Sequence, residues 1–577
     1  APDGFNSNVM VQGGYNAQNN DFGNYKLNAA ISNRFLDQKL GIDLNVSSER
    51  VNRSTQLMTA GYEITTNSAP EGEYEPMRVT NIGLNDIQQF KFRNSGSLVF
   101  DYRFSPRSSL EFSNFFAYTP SDHTNISKNY NPKAANTSIN VHDLTKDEAY
   151  LYSGTINGLH NLGVVEIDYG VSYSRSTSNT EVRNFGIINM KGYQDAVTAE
   201  LRNELSLAQL IELADDDPTE ANLQNFGMPG PGSDNFTDLA ENRYSSHLNF
   251  KVPYTISNGL AGFLKFGAQV KYKDRYFDQD VRVFGGPPFH KLISGIQQTP
   301  DGINWALDWV RLNDQNHVYM SDMVGGTKGE FLQGGFDFGW YPDVSRLNEV
   351  YEWWQEITGY YMDLYKDDPT LDRLLMIFGQ PRMIGYYDPK PSAMNDNKTN
   401  ETYYAGYFMT QLNIGNDLIL TPGFRYENMH NWLEGWWLHT SIDEGLRIPG
   451  YLQDTTRQNE FLLPMVHLKY RPLKWLHFQL SYTKTINRPN YNYIIPYEYV
   501  KDDLDPFGYE FGNPGLKAER WTNYDLVVAF HSNKLGLLSL NGFYKNVEDK
   551  VWQRKWKRLP GEEIITTSFS DADAYDV

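Results

Sequence analysis

The run Leu264-Lys265-Phe266-Gly267-Ala268-Gln269-Val270-Lys271-Tyr272-Lys273 decides the fold. In an extended chain Leu264, Phe266, Ala268, Val270 and Tyr272 fall on one face and Lys265, Gly267, Gln269, Lys271 and Lys273 on the other. Charges at mid-strand need water or partners, whereas the alternate face is apolar throughout. A membrane barrel supplies both environments, with lipid outside and a polar lumen inside. The arms Val165 to Tyr173, Leu418 to Tyr426, Leu476 to Tyr482 and Tyr524 to Phe530 repeat the pattern. On this reading Lys265, Gln269, Lys271, Arg425, Glu427 and Gln479 face the lumen, and Phe266, Val270, Leu420, Phe424 and Phe478 face lipid.

A soluble antiparallel sandwich also alternates apolar and polar residues. The arms argue against it, because about ten residues is long for a globular strand but close to the ~9–11 that cross a bilayer at a tilt. Aromatic rings gather at the arm ends, among them Tyr102, Phe104, Tyr118, Tyr173, Tyr272, Tyr426, Tyr470, Trp475 and Tyr544, as at lipid–water interfaces. The mean hydropathy of -0.57 shows no trace of this. No apolar run approaches the ~18–20 residues of a membrane helix, so strands must do the spanning.

Outward from these arms, short connectors join strand pairs at 36–39, 105–108, 161–163, 255–258, 415–417, 471–474 and 532–534. The returns are long excursions at 54–86, 121–148, 177–241, 276–400, 432–457, 488–519 and 550–577. Tight turns at one end and long loops at the other predict an all-β, antiparallel up-and-down transmembrane barrel with about fifteen strands in residues 1–577. An odd strand number does not close a typical bacterial barrel, and the chain starts at Ala1 directly before a strand, so it reads as a piece of a longer protein.

The longest excursion, 276–400, is expected to be an extracellular lid. Val344, Leu347, Tyr351, Trp354, Ile357, Tyr361 and Leu364 recur at helical spacing and predict a helix near 344–365, with a second over 370–378. Trp305, Trp309 and Trp353 in this loop, with Trp436 and Trp437 in the next, are candidates for an aromatic platform that touches ligand or partner. The alternative reading, rings packing loop to loop, remains open. Trp354 lies on the apolar stripe and is assigned to holding the lid together.

Composition narrows the chemistry. A net charge of -20 with no basic stripe argues against a nucleic-acid partner. Zero cysteines remove disulfides, zinc thiolates and thiol nucleophiles together. Acidic runs such as Asp215-Asp216-Asp217 lack calcium-loop spacing, no catalytic motif stands out, and neither a metal nor a cofactor is expected. The chain is not expected to be an enzyme.

One stretch carries a resemblance. Phe511-Gly512-Asn513-Pro514-Gly515-Leu516-Lys517-Ala518-Glu519, continuing to Asn523-Tyr524-Asp525-Leu526, resembles the GNPxLKPE…NYELG segment of TonB-dependent outer-membrane transporters, through Gly512, Asn513, Pro514, Leu516 and Glu519. Leu420 to Glu427 and Ser481 to Asn490 are similar to barrel segments of the Bacteroidetes-type members. The resemblance implies a barrel of about 22 strands, a preceding plug domain and TonB box, TonB as partner, and in some members a surface lipoprotein lid. It also implies residence in the outer membrane, among lipid and lipopolysaccharide, and import of a metal chelate, corrinoid, oligosaccharide or peptide. A plugless diffusion porin and a barrel-anchored adhesion or secretion component are the other classes that the residues themselves allow.

Overall fold

The deciding run lies inside a strand flanked on both sides, where Phe266 stands opposite Phe250 on one neighbour and Phe408 on the other. The computed structural model describes residues 4–64, 77–190, 193, 196–214, 229–284, 320–349, 352, 386–387, 392, 395–440, 450–501, 508–532, 536–555, 567–572 and 575–576.

In chain order the strands are β1 (Asn6–Asn16), β2 (Asp21–Phe35), β3 (Leu40–Asn52), β4 (Thr55–Ile64), β5 (Met77–Ser105), β6 (Ser108–Asn131), β7 (Asn136–Asn161) and β8 (Glu166–Met190). There follow β9 (Pro229–Ser257), β10 (Leu260–Phe284), β11 (Val324–Lys328), β12 (Gly339–Pro342), β13 (Tyr386–Tyr387), β14 (Asn397–Ile414), β15 (Leu418–Thr440) and β16 (Gly450–Leu473). The last are β17 (Leu476–Asn487), β18 (Glu498–Lys501), β19 (Gly508–Phe511), β20 (Glu519–Ser532), β21 (Gly536–Glu548), β22 (Lys550–Lys555), β23 (Thr567–Ala572) and β24 (Tyr575–Asp576).

Fifteen of them form one continuous antiparallel meander: β1, β2, β3, β5 to β10, β14 to β17, β20 and β21, each paired with the next. The expected number of strands and their up-and-down order are what the structure has. Short connectors close one end, with Leu36, Asp37 and Gln38 in the left-handed region and Gly415 at φ +59 where a tight turn requires it.

At the other end the strands run well past the expected limits. Residues 121–148, expected as a long excursion, are the upper halves of β6 and β7, joined by a short turn at 132–135. Likewise 54–86 contains β4 and the start of β5, and the lid interval 276–400 begins and ends as strand in β10 and β14. Polar composition hides these extensions, because beyond a bilayer both faces meet water or protein and the ladder hydrogen bonds carry the strand without a uniform apolar face.

The extensions of β5 to β8 hold a core of their own. Ile82, Leu84, Ile126, Ile139, Val141 and Phe185 are buried against Met323, Phe331, Phe338, Trp340 and Leu347 from the segment 320–349. Register places Ile126, Val141 and Phe185 in one row across three strands, and Phe112, Ile156 and Val171 in a second row nearer the short turns. Ile126 follows Phe112, and Phe185 follows Val171, at an even spacing along one strand, so the two rows share a face. In β7 the spacing is odd, and a register shift between Leu144 and Lys146 absorbs the extra residue.

Polar contacts pin 320–349 to that face. Lys328 Nζ lies 2.6 Å from Asp86 Oδ1, Arg183 Nη1 donates to Asn348 Oδ1 at 2.8 Å, and Asn348 Nδ2 donates to Asp143 Oδ2 at 3.1 Å. Residues 344–349 are helical. The rest of the expected 344–365 helix, apart from Glu352, and the 370–378 helix lie outside the described residues.

Candidate functional site

The alternate face of β15 presents Arg425, Glu427, Met429, Asn431, Leu433 and Gly435 in sequence, and from Glu427 to Gly435 these alternate residues are buried along the strand. What covers them is the chain at 488–501 and 508–518, which folds back against this face. Its short helix Tyr491–Ile494 and Leu516 close on Leu433, and β18 lies parallel to the upper end of β15. Close approach explains two glycines. A side chain on Gly512 would sit 1.9 Å from the carbonyl oxygen of Ile495, and one on Gly435 would sit 2.7 Å from the Ile495 side chain.

The residues of the family-like motif make this fold-back. Asn513 N–H donates to the Tyr493 carbonyl at 2.7 Å, Asn513 Oδ1 accepts from Gly515 N–H at 2.9 Å, and Leu516 is buried between Leu433 and Ile494. Glu519 accepts from Asn487 Nδ2 at 3.1 Å and from the Val551 amide at 3.1 Å, tying the start of β20 to its surroundings. Pro514 follows at the turn.

Against this cover the wall carries a charge network. Arg425 Nε donates to Glu427 Oε1 at 2.8 Å, and its Nη2 reaches Tyr403 Oη at 2.8 Å and Gln269 Oε1 at 3.2 Å. Arg488 Nη2 donates to the other Glu427 oxygen at 2.6 Å, while the Lys271 ammonium sits 5.2 Å from the Tyr403 ring. One step further from the short turns, Glu401 accepts from Tyr491 Oη at 2.8 Å and Asn431 Nδ2 at 3.2 Å, and lies 3.6 Å from Lys273 Nζ. Burial, and then the Glu401 carboxylate, push the Tyr491 hydroxyl far above its usual range, so it remains a donor. Between these groups lies a cavity of about 230 Å³ bordered by Arg457 and Asn459 of β16.

Of the residues singled out in the sequence, Gln269, Lys271, Arg425 and Glu427 come together in this network. Lys265 borders a separate depression with Tyr407, Met465 and Lys484, and Gln479 is exposed on β17. Trp436 and Trp437 lie on strand β15 rather than in a loop, with Trp437 stacked on Tyr451 at 5.0 Å. Trp305, Trp309, Trp353 and Trp354 lie outside the described residues, as do Asp215, Asp216 and Asp217. Sequence reasoning missed Tyr403, Arg457, Arg488 and Tyr491. The signal available was parity for Tyr403 and Arg457, which share the polar phase of their strands. Among the described residues no group of three or more His, Asp or Glu is arranged to hold a metal.

The model of the TonB dependent receptor-like β-barrel family matches residues 202–551. No curated protein matches the chain. Among solved structures it is similar to a double mutant of the Serratia marcescens hemophore receptor HasR in complex with its hemophore HasA and heme, at 10% identity and a TM-score of 0.46, covering 98% of this chain and 58% of that one. It is similar also to a mutant of the ferric enterobactin receptor PfeA of Pseudomonas aeruginosa in complex with enterobactin, at 9% identity and a TM-score of 0.47, covering 100% and 59%. The ferric-catecholate import receptor Fiu of E. coli K12 gives 8% identity and a TM-score of 0.47, covering 99% and 60%. The chain thus spans about 60% of the length of these structures.

Proposed function

The chain belongs to the TonB dependent receptor-like β-barrel family, and from that premise we propose that it forms the wall of an outer-membrane importer that takes up a nutrient with energy delivered through TonB. The observation that carries this reading is the family match over 202–551, which takes in the charged wall of β10 and β14 to β16 and the segment folded against it. A pore lined with Arg, Lys and Glu networks offers a solute polar contacts that the lipid-facing side lacks. The solute class is a metal chelate, corrinoid, oligosaccharide or peptide. Lys265, Gln269, Lys271, Arg425, Glu427 and Gln479 then face the lumen, the 276–400 interval forms an extracellular lid, and Trp305, Trp309 and Trp353 with Trp436 and Trp437 offer rings for stacking. A surface lipoprotein is the expected outer partner and lipopolysaccharide the expected outer lipid.

Uptake of labelled iron chelates, corrinoid, oligosaccharides and peptides by cells with and without the chain, in TonB-competent and TonB-deficient backgrounds, tests the proposal. It expects at least one solute whose saturable uptake is lost on removing either component. Uptake that persists without TonB and rises linearly with concentration would identify a diffusion porin, and no uptake at all would favour an adhesion anchor. An epitope in the 333–335 turn should be labelled on intact cells and one at Asn416 should not. The reverse pattern would invert the topology.

A further inference from the structure

On the face of the strand extensions opposite the 320–349 segment, two histidines meet beside a β-bulge. Ile126 of β6 faces that segment, so His123, at an odd spacing from it, points the other way. His142 joins it only because of the register shift between Leu144 and Lys146. Counted from Ile156 along an unbroken β7, His142 would share the covered face. The extra residue, Thr145, donates its hydroxyl to the Glu181 carbonyl at 3.2 Å and turns His142 across the sheet.

The register sets Asn125 opposite His142, which makes His123, two residues earlier, its diagonal neighbour. The two ring centroids lie 5.9 Å apart with the planes at 65°, and both residues are half-buried. Two imidazoles on one ion, each bound through nitrogen at ~2.0–2.1 Å, hold their centroids roughly 5–6 Å apart for angles from tetrahedral towards linear. The observed separation fits.

The ring nitrogens are also sorted. His142 Nδ1 lies 2.6 Å from Asn184 Oδ1, and Asn184 Nδ2 donates to Ser233 Oγ at 3.1 Å. With the amide held that way round its oxygen only accepts, so Nδ1 carries the proton and Nε2 keeps its lone pair, directed away from β8. Metal-ligating histidines are fixed through their second nitrogen in this manner. His123 has no hydrogen-bond partner among the described residues. Asp147, on the same face of β7 and without a hydrogen bond or ion pair among the described residues, adds negative charge beside the pair.

We propose that His123 and His142 form a two-histidine site for a nitrogen-preferring divalent ion of the zinc class, with water or a solute's own donor atoms in the remaining positions. Among the described residues no third ligand is in place, so the coordination stays open. The histidines stand on different strands, and no metal spacing shows in the sequence. What the cell does with the ion rests on the import reading above, in which this face lines the path of a metal-bearing solute. The site itself does not depend on that reading.

The test uses the full chain without an affinity tag, in detergent, with excess Mg²⁺ to fill oxygen-only sites. Calorimetric titration with Zn²⁺ should show a site that His123→Gln and His142→Gln each weaken at least about tenfold. Asn184→Leu keeps both rings but removes the acceptor that orients one of them, and should weaken it about 10–100-fold. His531→Gln, on β20, should change nothing. Should a variant fail to assemble, the unaltered chain decides: it is treated with diethyl pyrocarbonate with and without Zn²⁺, and modified histidines are mapped by mass spectrometry. Zn²⁺ should protect His123 and His142 and leave His531, which is exposed, modified to the same extent. Absence of zinc binding, binding that survives both histidine variants, or equal modification of the pair with and without Zn²⁺ overturns the proposal. Neither measurement needs cells or TonB, so its failure leaves the import reading standing, and TonB-independent uptake leaves the site standing.

Discussion

Two rows of side chains on one face of the same three strands meet opposite surroundings. Phe112, Ile156 and Val171 are 41%, 39% and 53% exposed, whereas Ile126, Val141 and Phe185 further up the strands are 6%, 1% and 4% exposed. The side chains are of similar kind, and the face is the same. What differs is the cover: the segment 320–349 lies over the upper row, and among the described residues none buries the lower row. Fully burying such a side chain is worth roughly 1.5–3 kcal/mol. In the upper row the chain supplies that burial. In the lower row a bilayer must, which is why an apolar face that no protein covers belongs to a membrane-spanning wall.

The comparison breaks most visibly in the lower row. Ile156→Arg puts a charge at the lipid face, a cost of about 2–4 kcal/mol near the midplane, and should abolish assembly, read as loss of the heat-modifiable barrel band on electrophoresis. Normal assembly would mean that lipid does not cover this face. Over the upper row Trp340→Ala removes from 320–349 a buried ring that packs in the shared core, at a local cost of about 3–5 kcal/mol. The barrel should still assemble, while limited proteolysis should now cut within 320–349. Loss of both together would show that the cap and the wall fold as one unit.

The smallest effect concerns pH at the end of β10 away from the short turns. Burial, and then the neighbouring carboxylates of Asp278 and Asp280, push the Asp396 carboxyl up to about 7, even though the Gln279 amide donates to it at 2.8 Å. A folded-state value raised above the unfolded one means that the folded form holds the proton longer, so the stability it contributes is full below about pH 4 and is lost as pH rises through about 7. Exchange at the Gln279 amide should therefore be more protected at pH 5 than at pH 8 after correction for intrinsic rate. Asp396→Asn should flatten that difference, and an unchanged pH dependence would assign it to another group.

The lower halves of the strands were legible because lipid on one side and a polar interior on the other force a strict two-residue alternation, as in Leu264 to Lys273. The upper halves were not. Lys128 sits on the covered face, its ammonium 5.2 Å from the Trp340 ring, so the apolar stripe is broken by a residue that reads as solvent-exposed. The register shift after Leu144 then puts Val141 out of phase with Ile156. The site divides similarly. Gln269, Lys271, Arg425 and Glu427 could be read because parity alone places them on one face. Arg488 and Tyr491 could not, since they reach Glu427 and Glu401 across 61 and 90 residues through a fold-back that no local pattern announces.

The central claim, that one sheet face passes from lipid cover to protein cover, can be measured on the unaltered chain. A hydrophobic diazirine dissolved in the bilayer of reconstituted vesicles is photolysed, and the sites of carbene insertion are mapped by mass spectrometry. Insertion at Phe112, Ile156 and Val171 with none at Ile126, Val141 and Phe185 is the predicted result. Equal labelling of the two rows, or labelling of neither, would contradict it.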